Sequence, residues 1–402
     1  MSASPSRLPA VFSESFRFFF LAAGLFAMLS MGAWLTWLYI HWLGGAVPNP
    51  TIAVAPHLWH AHEMIFGYSA AVIAGFFLTA VPNWTGSPPA RPSFIMIAGG
   101  FWIAGRAVVW YAAHLPPVLV AVVDLLFLLT LVARIASDLR RNPKPANLVL
   151  LGLLFWLFAS NATIHAEWIG FTADTTQTGL RMGLFGLAAM ISIVGGRIVP
   201  AFTRNALMRE GKTEILPVTR PLVDRIGIAM SVLMAVTAAF DMPPIATGVL
   251  AVAAALANGT RLSGWGWRQV LHSPILWSLH LGYGLLVLGY LTVGLAALTG
   301  FPGETSALHL LGIGGVGAMT LAVMTRAALG HAGRELKVST SIAIAYTAIA
   351  FAALIRGFGT WFAPEQYYLV MFASGGLWVF GFLMFVIDYW WLFVAPKNTV
   401  TT

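Results

Sequence analysis

The sequence predicts an all-α, polytopic membrane protein of about twelve transmembrane helices, folded as a single transmembrane domain over 1–402, and three observations predict it. Hydrophobic residues make up 59% of the chain and charged residues only 9%, whereas a soluble globular protein carries roughly 25% charged residues. The apolar residues fall into runs long enough to cross a bilayer, about 20 residues each, separated by short stretches of Pro, Gly and charge. The basic residues of those stretches sort to alternate connections.

In order along the chain, the expected spans are 14–42, 58–82, 93–113, 116–139, 146–168, 178–203, 219–240, 243–262, 272–299, 304–328, 338–358 and 366–394. The connections His114-Leu115-Pro116-Pro117 and Asp241-Met242-Pro243-Pro244 read as tight turns between antiparallel helices, because proline cannot continue the preceding helix. Neither contains Lys or Arg. Arg7, Arg17, Arg91, Arg134, Arg140, Arg141, Lys144, Arg204, Arg209, Lys212, Arg220, Arg225, Arg261, Arg268, Arg334, Lys337 and Lys397 all fall on one side. By the positive-inside rule that side is cytoplasmic, which puts both short tails, 1–13 and 395–402, in the cytoplasm.

Several classes are excluded. There is no cysteine, so disulfides, iron–sulfur clusters, thiolate ligands and covalently attached c-type haem are ruled out and any metal must rest on His, Met or carboxylate. The first apolar run is too long for a signal h-region and lacks a small-residue cleavage site, so it reads as a retained anchor. The net charge of +8 does not indicate nucleic acid, since the basic residues sit in short gaps without interleaved aromatic platforms. No pore motif, nucleotide-binding loop or Ser-His-Asp order is present.

Spans 2, 6 and 10 look related. They read HEMIFGYSAAVIAGFFLTAVPNW, LRMGLFGLAAMISIVGGRIVPAFTRN and LHLLGIGGVGAMTLAVMTRAALGHAGR. Each is rich in Gly and Ala, begins with a basic or imidazole side chain and ends in a polar motif. With Gly67, Gly186 and Gly314 matched, His62, Arg181 and His309 are equivalent. Small residues let helix backbones or a planar cofactor approach closely. A spacing of four helices suggests three four-helix units about a pseudo-three-fold axis, although Gly/Ala-rich membrane helices also align without common origin. It is a different division from the six-plus-six repeats of many transporters.

Ionisable groups inside spans are expensive and are functional candidates by default. In the outer half, His60, His62 and Glu63 begin span 2 and His309 begins span 10, with Arg106, Arg181 and Arg356 at comparable depth. Helical residues two apart diverge by about 200°, so His60 and His62 serve different sites unless the first turn is irregular. Glu63, one turn from His60, could orient a ligating imidazole or simply favour the helix dipole. A second set faces the cytoplasm: Asn83, Trp84 and Thr85, then Arg197 and Arg204, then Arg326, His331 and Arg334, with His280 and Tyr283 in the inner half of span 9. A buried arginine there needs an anion, for which a haem propionate, a carboxylate or a helix C-terminal carbonyl would serve. Arg204, Arg209 and Arg334 also read as ordinary positive-inside residues. His41, His57, His114, His165 and His272 lie near span ends, where an interfacial imidazole is unremarkable.

The blocks WHAHEMIFGYSAAVIAGFFLTAVPNWTG (Trp59 to Gly86), GGRIVPAFTRN (Gly195 to Asn205), LWSLHLGY (Leu276 to Tyr283) and LHLLGIGGVGAMTLAVMTRAALGHAGR (Leu308 to Arg334) resemble the NnrS family of bacterial inner-membrane proteins. The resemblance implies a haem- and copper-containing protein tied to denitrification and nitric oxide defence. Carried across by position, it implies His60, His62, His280, His309 and His331 as haem or metal ligands, Arg197, Arg326 and Arg334 as polar companions, and Glu63 as the candidate catalytic group. Twelve helices with imidazoles on the second and tenth also resemble the catalytic subunit of haem–copper oxidases. The chain departs from that pattern by lacking an adjacent His-His pair after span 6, any histidine in span 6, and a second histidine in the span 10 motif.

The expected function is therefore that of a haem b protein, with copper as a further cofactor, that binds nitric oxide or, as an oxidoreductase, reduces it using electrons from quinol or another donor. Different classes stay open: a transporter with a midplane site made by broken helices, or a non-catalytic sensor or iron-protecting protein that binds the same haem.

Overall fold

The computed structural model describes residues 9–47, 51–240 and 242–396. Arg7, Lys397, most of both predicted tails and Asp241 of the second turn lie outside them. Among the described residues, twelve helices are long and apolar enough to cross a membrane: α1 Ser15–Trp42, α2 Pro56–Thr85, α3 Pro92–Trp110, α4 Pro117–Leu139, α5 Pro145–Trp168, α6 Thr176–Arg209, α7 Pro221–Ala239, α8 Pro244–Ser263, α9 Pro274–Thr299, α10 Glu304–His331, α11 Thr340–Phe362 and α12 Tyr367–Val394. There is no strand among the described residues. The chain is a polytopic helical membrane protein. An even number of crossings returns it to its starting side; that side is the terminal face below, and the opposite one the distal face.

Proline sets most helix starts. Seven of the twelve, α2, α3, α4, α5, α7, α8 and α9, begin on Pro, whose missing N–H falls where no intrahelical acceptor exists and whose fixed φ suits the first turn. Proline does not end α2 or α6, because Pro82 and Pro200 are accommodated inside them. α2 therefore runs past Pro82 to Thr85; α6 ends at Arg209 rather than 203, α10 at His331 rather than 328, and His57 lies in the first turn of α2.

The centre is built by α2, α6 and α10, which touch one another. Over their most apolar stretch they are 72%, 67% and 72% buried, against 33–56% for the other nine. The Gly/Ala content of these helices permits this, since a small side chain leaves room for a neighbouring backbone. Two of them share a further feature. α2 widens into a π-helix over Glu63–Ser69 and α10 over Leu310–Ala318, immediately after His62 and His309. π-Helical turns are rare and cluster at functional sites. α6 is α-helical throughout.

Candidate functional site

The start of α2 is a regular α-helix over Pro56–His62, so the two histidines diverge. His60 turns toward α1 and stacks on Trp34, with ring centroids 5.0 Å apart and planes 12° from parallel. Its Nδ1 is buried without a hydrogen-bond partner. His309 of α10 lies within electrostatic range of His60, and Arg356 of α11 within range of both. His309 Nδ1 donates to the Thr305 carbonyl at 2.7 Å, which fixes the tautomer and leaves Nε2 with a lone pair, as for imidazoles that ligate metals. Arg356 is buried and has no carboxylate partner among the described residues.

His62 turns the other way, toward α4 and α5. Its Nδ1 lies 2.9 Å from Glu63 Oε1, so Glu63 orients His62, its neighbour in the chain, and not His60 as its helical spacing suggests. His62 Nε2 lies 2.9 Å from Asn161 Oδ1 and 3.4 Å from Asp124 Oδ2. His165 Nε2 lies 2.9 Å from the same Asp124 oxygen, and Asn161 Nδ2 donates to it at 2.8 Å. Arg106 of α3 spans the two acids, meeting Glu63 Oε1 at 2.5 Å and Asp124 Oδ1 through its other terminal nitrogen. His62, Glu63, Asp124, Asn161 and His165 are all at most 2% exposed. A charged network at this burial persists only if nearly every group is paired. Absent side chains create the space. A Cβ on Gly67 would lie 3.0 Å from Arg106 Nη1 and 3.1 Å from Glu63 Oε2, and one on Gly105 would lie 2.8 Å from Asp124 Oδ1.

Sequence reasoning does not single out Asp124 or Asn161 and treats His165 as interfacial. The signal for Asp124 is present: a lone carboxylate in VLVAVVDLLFLL is a functional candidate wherever it lies in lipid-depth helix. Asn161 and His165, one helical turn apart on α5, face the same acid. Arg181 does not converge on either site; it pairs with Glu304 at 2.7 Å near the surface.

The terminal-face candidates separate likewise. Arg326 stacks on the Phe202 ring at 4.3 Å. With His331, Asn83 and Trp84 it lines a cavity of about 370 Å³ between α1, α2, α6 and α10, whose other walls are mostly apolar. His331 packs against Phe16. His280 accepts or donates a 2.9 Å bond with Thr203, its Nδ1 is buried without a partner, and it borders a separate cavity of about 450 Å³. Arg197 on α6 and Arg334 beyond the end of α10 are both exposed. Two residues of the charge sorting are buried rather than solvated: Arg17 reaches the Ala395 carbonyl at 2.6 Å, and Arg261 pairs with Asp224 at 2.8 Å.

The arrangement defines a polytopic membrane protein with two buried imidazole sites in its distal half, divided by the divergence of His60 and His62. A cluster of His62, Asp124 and His165 could hold a metal ion. The model of the family described as NnrS protein matches residues 10–397, and the chain belongs to that family. No curated protein matches the chain.

Proposed function

We propose that the protein binds haem b in its distal half and serves in nitric oxide response by binding that gas, in a bacterial inner membrane with both termini cytoplasmic. The observation that carries the reading is the trio His60, His309 and Arg356. Two imidazoles from different helices offer free ring nitrogens, and a buried guanidinium lies in range of both without a carboxylate partner. That donor set fits a porphyrin: imidazoles for its iron and a cation for a propionate. Bound haem would supply an iron that takes up nitric oxide. His309, anchored through Thr305, would hold it, and His60, stacked on Trp34, would be the second and more loosely held imidazole donor. Arg356 would orient the ring through its edge. The apolar walls of the bundle admit a neutral diatomic gas from the bilayer and exclude water. Family membership and the burial of His60 and Arg356 support this reading. Reduction of the gas would further require electrons from quinol or another donor.

Visible spectroscopy of the purified full-length protein tests it. A Soret band is expected, shifting when nitric oxide is added anaerobically. His309→Ala should abolish the band. His60→Ala should retain haem but change its spectrum and strengthen the response to nitric oxide. A Soret band unaltered in both variants would overturn the assignment of the trio.

A further inference from the structure

The second imidazole site raises a problem of hydrogen-bond parity. Carboxylates only accept hydrogen bonds, so His62 Nδ1–H must donate to Glu63, and in a neutral ring Nε2 then carries a lone pair. Yet Nε2 faces two oxygens, Asn161 Oδ1 at 2.9 Å and Asp124 Oδ2 at 3.4 Å. His165 Nε2 points at that same Asp124 oxygen from 2.9 Å, while its Nδ1 is buried without a partner. Charge leaves the same gap, since Glu63 and Asp124 together face a single guanidinium, Arg106. A cation belongs among these atoms.

From this geometry we infer that His62 Nε2, His165 Nε2 and Asp124 Oδ2 form a transition-metal site, with Asn161 Oδ1 as a fourth donor, separate from the site of His60 and His309. Metal bonds of about 2.0 Å in tetrahedral geometry place neighbouring donors about 3.3 Å apart, and the donor separations here are 2.9, 2.9 and 3.4 Å. The two imidazole rings stand at 79°, with centroids 5.7 Å apart, and each presents its Nε2 to the same Asp124 oxygen. Glu63 takes the outer position: a carboxylate on the far ring nitrogen fixes the tautomer and raises the basicity of the ligating one. Gly105 leaves space for Asp124. Two imidazoles with oxygen donors suit copper or zinc over magnesium or calcium.

The test is metal analysis of the full-length protein after loading with copper(II) or with zinc(II) and removal of excess. About one non-haem equivalent per chain is expected from a site of this kind. His165→Gln should lose it, because glutamine keeps a donor toward Asp124 but not the imidazole, so folding is preserved. Asp124→Asn should lose it as well. Glu63→Gln should weaken affinity about 10–100-fold. Copper(II) electron paramagnetic resonance should show coupling to two imidazole nitrogens in the parent protein. His309→Ala should leave this metal in place, which separates failure here from failure of the haem reading. An unloaded parent protein, or equal metal in His165→Gln and parent, would overturn the inference and leave an imidazolium proton as the cation.

Discussion

Two buried charged networks in this protein use the same side chains to different ends. Near the terminal face, Arg261 of α8 bonds Asp224 at 2.8 Å, Tyr283 at 2.7 Å, Asn258 at 2.9 Å and Ser192 at 3.0 Å, and Tyr283 bonds Asn258 at 2.6 Å. One cation meets one anion, and none of its buried side-chain polar atoms lacks a partner among the described residues. In the distal cluster two acids share Arg106, while Arg106 Nε and His165 Nδ1 are unpartnered. The balanced network is complete as it stands and holds α6, α7, α8 and α9 together. The unbalanced one carries the donors of the proposed metal site. Saturation, rather than the presence of buried charge, distinguishes structural from functional polarity here.

The largest expected effect comes from Arg106→Met, which leaves Glu63 and Asp124 buried without their guanidinium. Breaking a buried pair in this way costs about 3–5 kcal/mol. Thermal denaturation in detergent should show it, and copper or zinc loading should recover more stability in this variant than in the parent. Equal stability with and without Arg106 would dissolve the distinction between the two networks.

A matched pair of glycine substitutions sharpens it. A Cβ on Gly196 would lie 1.7 Å from Arg261 Nη2, and one on Gly105 would lie 2.8 Å from Asp124 Oδ1. Gly196→Ala and Gly105→Ala should each lower stability by about 1–3 kcal/mol through overpacking. Only Gly105→Ala should change metal content, since it turns the ligating carboxylate. Loss of metal in Gly196→Ala would mean that the two networks are coupled through the bundle.

The same contrast explains what the sequence makes legible. Twelve spans and their starts follow from apolar length and proline placement, because both act locally. The Gly/Ala excess of α2, α6 and α10, read there as a sign of close approach and of a repeat, falls on the central helices. GGR in α6 is likewise readable afterwards as a passage for Arg261. The composition of the distal cluster is less legible. It joins Glu63, Arg106, Asp124 and His165 from four helices, and which faces meet depends on helix rotation that span counting does not supply. The π-helical turns in α2 and α10 leave no sequence mark beyond small residues, and that Glu63 bonds His62 and not His60 is a side-chain orientation that helical spacing does not supply. Burial of Arg17 and Arg261 was hidden by the same charge sorting that orders the connections.

The smallest effect belongs to the exposed counterpart of these networks. Just past the end of α6, Glu210 lies 2.7 Å from Lys212 Nζ and 3.1 Å from His272 Nε2. Lys212 and then His272 hold its carboxyl below the ordinary range. A lowered carboxyl pKa gives stability that is present above the unfolded value and disappears as pH falls through the folded one, so any contribution exists at neutral pH and fades in acid. Solvent and salt screen an exposed pair, whose worth is about 0–1 kcal/mol. Glu210→Gln should therefore shift the melting temperature little at pH 7 and not at all in acid, and the small difference should vanish at high salt. A loss approaching that of Arg106→Met would show that exposure does not separate the two kinds of charge in this bundle.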